Sequence, residues 1–170
     1  MSGPETSEGL LTRLAALGIA VETRQHVPVF TVAESQALRG DLPGGHTKNL
    51  FLKPAKREGP FLLATLEESR KVSVNALARA AGWGKVTMAS ADELLAVLGV
   101  PAGAVTPLGL VNARPGSVRF AIDRALMQDH ARIWVHPLRN DASTGIAPAD
   151  LLRFLGHLGH APEILDLDGT

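Results

Sequence analysis

Cysteine is absent from this chain of 170 residues. That one absence excludes disulfides, thiolate zinc sites, iron–sulfur clusters, cysteine redox motifs and cysteine nucleophiles together. Tyrosine is absent too, and aromatic residues reach only 4%, which argues against a base-stacking platform of the single-strand-binding kind. Neither sign of charge is in excess: 17 Lys plus Arg balance 17 Asp plus Glu. No global field therefore steers the protein toward nucleic acid or an acidic membrane, and any contact with a polyanion must be local. No apolar run approaches the ~18 residues of a membrane span. The start, Met1-Ser2-Gly3-Pro4-Glu5-Thr6, lacks the basic and apolar regions of a signal peptide. A cytoplasmic protein with no membrane partner is expected. Walker, Gly-x-Gly-x-x-Gly, Gly-x-Ser-x-Gly and His-Glu-x-x-His patterns are all missing, which argues against the nucleotide-phosphate, serine-hydrolase and zinc devices they mark. Six histidines are present, but His157 and His160 straddle Gly159 and the others need the fold to bring them near one another. No metal and no cofactor are expected.

What is present fits a packed globule: 45% hydrophobic residues in 17.9 kDa, read as one domain over 1–170, with an N-terminal helix in 1–19 and a core over 20–168. Leu10, Leu14 and Leu17 at helical spacing before Gly18 predict that helix. Residues 20–26 read as a strand. Thr31-Val32-Ala33-Glu34 has capping-box spacing for a short helix, and Gly40 to Gly45 reads as a loop. Asn49–Leu52 and Phe61–Thr65 read as paired antiparallel strands. Ser73 caps a helix through Ala81 that Gly82 ends, and Ser90 to Glu93 is a second capping box, for a helix closing at Gly99. Strands are expected over 85–89, 118–122, 132–135 and 164–167. Pro148 opens a last helix that Gly159 stops. Irregularly interleaved strands and helices with short connections predict an α+β fold with a mixed, partly barrel-like β-sheet flanked by helices.

Four polar stretches stand out in this apolar context. Lys48, read as standing between a glycine-rich loop and a strand, either turns its ammonium to a phosphate or carboxylate in a cleft or snorkels from the strand edge. Asn49 beside it either shares that role or caps the local turn. Gly103-Ala104-Val105-Thr106-Pro107 either presents backbone N–H groups that polarise a carbonyl or simply closes a helix. Gly109 keeps the backbone open to close approach by a ligand. His130 and His136 are each a general base or a structural histidine. Asn140, Ser143 and Thr144 organise a loop or line a pocket. Arg70, Lys71, Arg114, Arg119 and Arg124 are candidates for a local basic surface, and Arg119, between Val118 and Phe120, faces away from the side they bury.

Taken in order, His46-Thr47-Lys48-Asn49-Leu50-Phe51-Leu52, Gly103-x-x-x-Pro107-Leu108-Gly109-Leu110, His136-Pro137-Leu138-Arg139-Asn140 and Gly159-His160 resemble the freestanding prolyl-tRNA editing family. These are YbaK-like relatives of the editing domain of prolyl-tRNA synthetases. The likeness runs from about Val21 to Asp168 and is greatest to the alanyl-tRNA(Pro) deacylase. It implies a trans-acting hydrolase that removes alanine wrongly esterified to proline tRNA. In that reading Lys48 engages the phosphate or terminal adenosine of the acceptor end, with Asn49 beside it. Gly103 and Pro107 belong to the loop around the aminoacyl group. His46, Thr47, Thr106 and Gly109 follow as substrate contacts within these motifs, and His130, His136, Asn140 and Thr144 as pocket residues. Ser143 stands where the family more readily carries threonine.

The chemistry agrees with the residues. An aminoacyl ester is already activated, so a positioned water and oxyanion donors suffice without a covalent nucleophile. A pocket shaped for a methyl side chain rejects the pyrrolidine ring of Pro-tRNA(Pro) by clash. The expected partner is the mischarged tRNA(Pro) acceptor end. Zero net charge implies weak, salt-sensitive binding supplemented by prolyl-tRNA synthetase or elongation factor. Two other readings stay open: a non-catalytic nucleic-acid-binding module of this fold, and an editor of another small amino acid, of the cysteine type or on another tRNA.

Overall fold

The computed structural model describes residues 4–28 and 44–168. Helix α1 (Ser7–Ala16) starts where Thr6 accepts the Gly9 N–H at 3.0 Å, and it buries Leu10 and Leu14. Strand β1 (Val21–Gln25) follows. The expected helix at Thr31-Val32-Ala33-Glu34 lies outside the described residues, as does most of the expected loop at 40–45. Of that loop Gly44 and Gly45 are described, and Gly45 is already the first residue of strand β2 (Gly45–Pro54). Lys48 is therefore the fourth residue of a strand, not a residue between a loop and a strand.

Strand β3 (Phe61–Glu67) pairs antiparallel with β2, from Thr47 opposite Glu67 to Leu52 opposite Leu62. Ser73 caps α2 (Val74–Ala81), and Gly82, at φ 67°, ends it in the left-handed conformation that glycine adopts without a Cβ penalty. After β4 (Val86–Met88), both halves of the Ser90–Glu93 capping box are formed at α3 (Ala91–Leu98). After α3, a 3-10 helix, Pro107–Asn112, is begun by Thr106. Strand β5 (Val118–Asp123) runs straight into an unforeseen helix, α4 (Arg124–Gln128), capped by Asp123. Strands β6 (Ile133–Val135) and β7 (Ala142–Ile146), helix α5 (Pro148–His157) and strand β8 (Pro162–Leu165) complete the chain. Ser143 and Thr144, expected in a loop, lie within β7.

The fold is α+β, as the sequence predicts: one mixed sheet of eight strands in the order β1-β7-β6-β2-β3-β5-β8, with β4 also on β2, and helices against it. β3, β5 and β8 run parallel, whereas β2 is antiparallel to β3 and parallel to β6. Strand alternation sorts side chains into two cores. On one face Phe51, Leu63, Phe120, Ile122, Val135 and Ile146 pack with α1, α3, the 3-10 helix and α5. On the other, Leu52, Leu62, Ala64, Leu66 and Ala121 meet Leu77 and Ala78 of α2 and Trp83. Each fully buried leucine contributes roughly 1.5–3 kcal/mol relative to leaving it exposed. Among the described residues no helix is long and apolar enough to cross a membrane.

Candidate functional site

Strand β2 carries most of the candidate residues, and its pairing creates the site. On one edge it pairs with β3 along most of its length. On the other it pairs with β6 at Gly45 and His46 and with β4 from Leu52 to Pro54. Between those two short pairings, among the described residues, the edge beside Lys48, Asn49 and Leu50 is uncovered. The Gly45 N–H turns to β6, donating to the Arg132 carbonyl at 2.8 Å, and the Phe51 carbonyl turns to β4, accepting from Ala89 at 3.0 Å. Main-chain groups alternate in direction along a strand, so those of Asn49, midway between, face the gap.

Side-chain alternation then separates the two central residues. Asn49 shares the face of Phe51, and its Oδ1 accepts from the Thr65 hydroxyl directly across on β3. Thr47, on that face too, donates to the Trp134 carbonyl at 2.7 Å. Farther across the same face Thr144, fully buried, has its hydroxyl 2.8 Å from that of Thr23. Hydroxyl and amide groups thus line this side of the site. Lys48 points to the opposite face, toward the α2 layer, where its half-buried ammonium donates to the Arg70 carbonyl.

That carbonyl sits in a well-held turn. Glu68 N–H donates to the His46 carbonyl at 2.8 Å, and Arg70 N–H to that of Glu67 at 3.0 Å. The Arg70 guanidinium reaches Asp123 through Nε (3.0 Å) and Nη2 (2.9 Å), and Asp168 through Nη1 (2.9 Å). Its pKa is driven upward, first by the hydrogen bonds to Asp123 and then by those to Asp168, against the cost of burial. Asp123 is completely buried, and its oxygens also accept from the N–H groups of Glu67 and Ala125, each at 3.1 Å.

In and just after the glycine–proline loop, three N–H groups are bonded within the segment or to its start. Ala104 N–H donates to Pro101, Gly109 N–H to Thr106, and Leu108 N–H to the Thr106 hydroxyl. Pro107 has none, which leaves Gly103, Val105 and Thr106 as the loop's remaining donors among the described residues. Gly109 is close-packed for another reason: a Cβ there would stand 3.1 Å from that of Leu98. Gly159-His160 tethers the far end of this segment, with His160 Nε2 3.0 Å from the Ala113 carbonyl.

The histidines divide by role. His130 packs flat on the Gly45 backbone, where a Cβ would meet its ring at 2.6 Å. His136 is not on the Thr144 face. Its Nδ1 lies 3.0 Å from the Ala142 carbonyl, and its ring is 6.5 Å from that of His26, which in turn bonds Ser143 Oγ at 2.9 Å. A carbonyl can only accept, so Nδ1 carries the proton. Burial pushes the His136 pKa down; the Ala142 hydrogen bond opposes that, and His26 adds a smaller push downward. Asn140 lies half-buried in the turn before β7. In that turn Leu138 holds φ 69° with its side chain in the core, a left-handed conformation costing a non-glycine residue about 1–2 kcal/mol.

Three of the five candidate basic-surface residues are taken up by carboxylates. Arg119 pairs with Glu163 at 2.8 Å, Arg124 with Asp166 at 2.6 Å, and Arg70 with Asp123 and Asp168. Arg119 does face away from Val118 and Phe120, but toward Glu163 on β8. Thr65, Thr23 and Asp123 escaped sequence reasoning. Only Asp123 left a local signal, an acidic residue between an apolar strand and Arg124-Ala125, the pattern of a helix cap.

The model of the family described as "Aminoacyl-tRNA editing domain" matches residues 26–154. A Bos taurus protein named prolyl-tRNA synthetase associated domain-containing protein 1 is 40% identical, over 99% of this chain and 99% of its own. The prolyl-tRNA editing protein ProX of Acetoanaerobium sticklandii is 26% identical, over 96% of this chain and 98% of its own. A crystal structure described as a candidate trans-editing enzyme for prolyl tRNA synthetase superposes with a TM-score of 0.68 at 18% identity, covering 96% of this chain and 99% of that one.

Proposed function

The chain belongs to the aminoacyl-tRNA editing domain family, in its prolyl-tRNA editing branch, and on that premise we propose that it is a trans-acting deacylase of mischarged Ala-tRNA(Pro). The observation that carries this reading is the edge of β2 that no described residue covers. There the main-chain groups of Asn49 face the gap, the Asn49–Thr65 pair lies on one side, and the Lys48 ammonium lies on the other. An activated ester needs no nucleophilic side chain. It needs a donor for the developing oxyanion, a cation for the anionic acceptor end and a positioned water. Lys48 binds the phosphate or terminal adenosine side, and Asn49 the ester side. Gly103 to Pro107, with Thr106 and Gly109, closes over the aminoacyl group. His46 and Thr47, at the start of the same strand, contact the substrate, and His130, His136, Asn140 and Thr144 shape the surroundings of the pocket. One editing domain over 1–170 carries the activity, and prolyl-tRNA synthetase or elongation factor supplements the tRNA affinity that a neutral protein lacks.

Deacylation of Ala-tRNA(Pro) beside Pro-tRNA(Pro), by wild type and Lys48→Ala, tests this. Wild type is expected to release alanine and leave proline in place. Removing a charged hydrogen-bonding partner of the substrate costs about 1.5–3 kcal/mol, or roughly ten- to hundredfold in kcat/KM. No release from either substrate by folded wild type overturns the reading.

A further inference from the structure

We propose that Arg70 is a positioning residue for Lys48, its side chain clamped by Asp123 so that its main-chain carbonyl fixes the direction of the Lys48 ammonium. The inference rests on the reading of Lys48 as a substrate-binding group, and goes beyond it by naming what holds that group in place.

An ammonium on a four-carbon stem is a poorly directed charge, and holding it still costs rotamer entropy. Among the described residues Lys48 has one acceptor, the Arg70 carbonyl. Its other protons remain for a ligand, provided that the carbonyl does not move. Four elements immobilise it. β2 holds the Glu67–Arg70 turn through the His46 carbonyl, and β3 leads into that turn. β5 supplies Asp123, whose two oxygens each accept two hydrogen bonds, from Arg70 Nε and Glu67 N on one and from Arg70 Nη2 and Ala125 N on the other. The segment after β8 supplies Asp168. A bidentate guanidinium–carboxylate pair is the most directional ion pair that side chains make, and this one is closed at its buried end. It joins positions 53 residues apart, so it cannot be a by-product of local turn geometry. Asp168 is exposed, and its contribution is correspondingly small.

A cycle of Lys48→Ala, Arg70→Gln and the double variant, assayed for Ala-tRNA(Pro) deacylation, tests this. Arg119→Gln serves as the control, because it breaks another bidentate pair of the same sheet without touching Lys48. Arg70→Gln is expected to lower kcat/KM about tenfold in the wild-type background and to change it less than about twofold once Lys48 is gone; Arg119→Gln leaves activity intact. A second readout needs no activity. Lysine acetylation by a small activated ester, mapped by mass spectrometry, is expected to modify Lys48 several-fold faster in Arg70→Gln, with the Lys53 rate unchanged. Should Arg70→Gln fail to fold, Arg70→Lys, which keeps one charged donor to Asp123, is carried through both measurements. Equal losses from Arg70→Gln in the presence and absence of Lys48, or an unchanged Lys48 acetylation rate, overturn the positioning role. Full activity in Lys48→Ala overturns instead the functional reading on which it rests.

Discussion

Replacing Gly45 by alanine puts a methyl group into the backbone at the point where the two parts of the sheet join. The new Cβ would stand 2.6 Å from Cδ2 and 2.7 Å from Cγ of His130. Carbon atoms rest at about 3.5–4.0 Å, so one side must retreat by nearly an ångström. Gly45 is held by its 2.8 Å bond to the Arg132 carbonyl and by its pairing with Ile133. Cγ is the ring atom nearest its own backbone, so rotating the ring does not clear it. Gly45 has no positive φ, and the effect is therefore steric alone. Overpacking of this kind costs about 1–3 kcal/mol, which for a chain of this length lowers Tm by about 2–12 °C. Urea unfolding followed through the buried Trp83 and Trp134 measures the loss. Removing the ring in Gly45→Ala/His130→Ala should restore most of it. The reasoning is refuted if Gly45→Ala is as stable as wild type, or if the two substitutions add to within about 0.5 kcal/mol.

Two further outcomes are expected. Burial holds His136 neutral in the folded protein by lowering its pKa, whereas the unfolded chain takes up the proton near pH 6.5. Unfolding then binds a proton, so the stability that His136 contributes is present above about pH 6.5 and is lost as the pH falls below it toward the folded value. His136→Asn, which keeps an N–H donor for the Ala142 carbonyl, should unfold with a shallower acid-side dependence; identical pH profiles for the two proteins would contradict this. Ser90→Ala removes one half of an exposed capping box, at the residue that follows Ala89, and should cost about 0.5–2 kcal/mol of stability. Deacylation well below Tm should be unchanged, and a slower rate there would show that α3 is coupled to the site.

Sequence by itself determined where helices begin and end and which motifs deserve scrutiny. Ser73, Ser90, Gly82, Gly99 and Pro148 act through hydrogen bonds and dihedral angles within a few residues, so their effects are legible from neighbours in the chain. The Ser143–Thr144 segment shows the limit. Two short polar residues read as a loop, yet both are in β7, and pleating sends Ser143 to His26 and Thr144 to Thr23. Helix α4 was missed because its five residues are too few to show a period.

Only the tertiary structure decided the strand order, and the site depends on that order. Adjacent in sequence, Lys48 and Asn49 face opposite sides of the sheet, and the gap beside them among the described residues arises because β6 and β4 each cover only one end of β2. Thr65 and Asp123 became part of the site through pairings 16 and 53 residues distant. Such contacts depend on which surfaces bury one another rather than on local preference, so the motifs named the residues while the packing of eight strands gave them their directions.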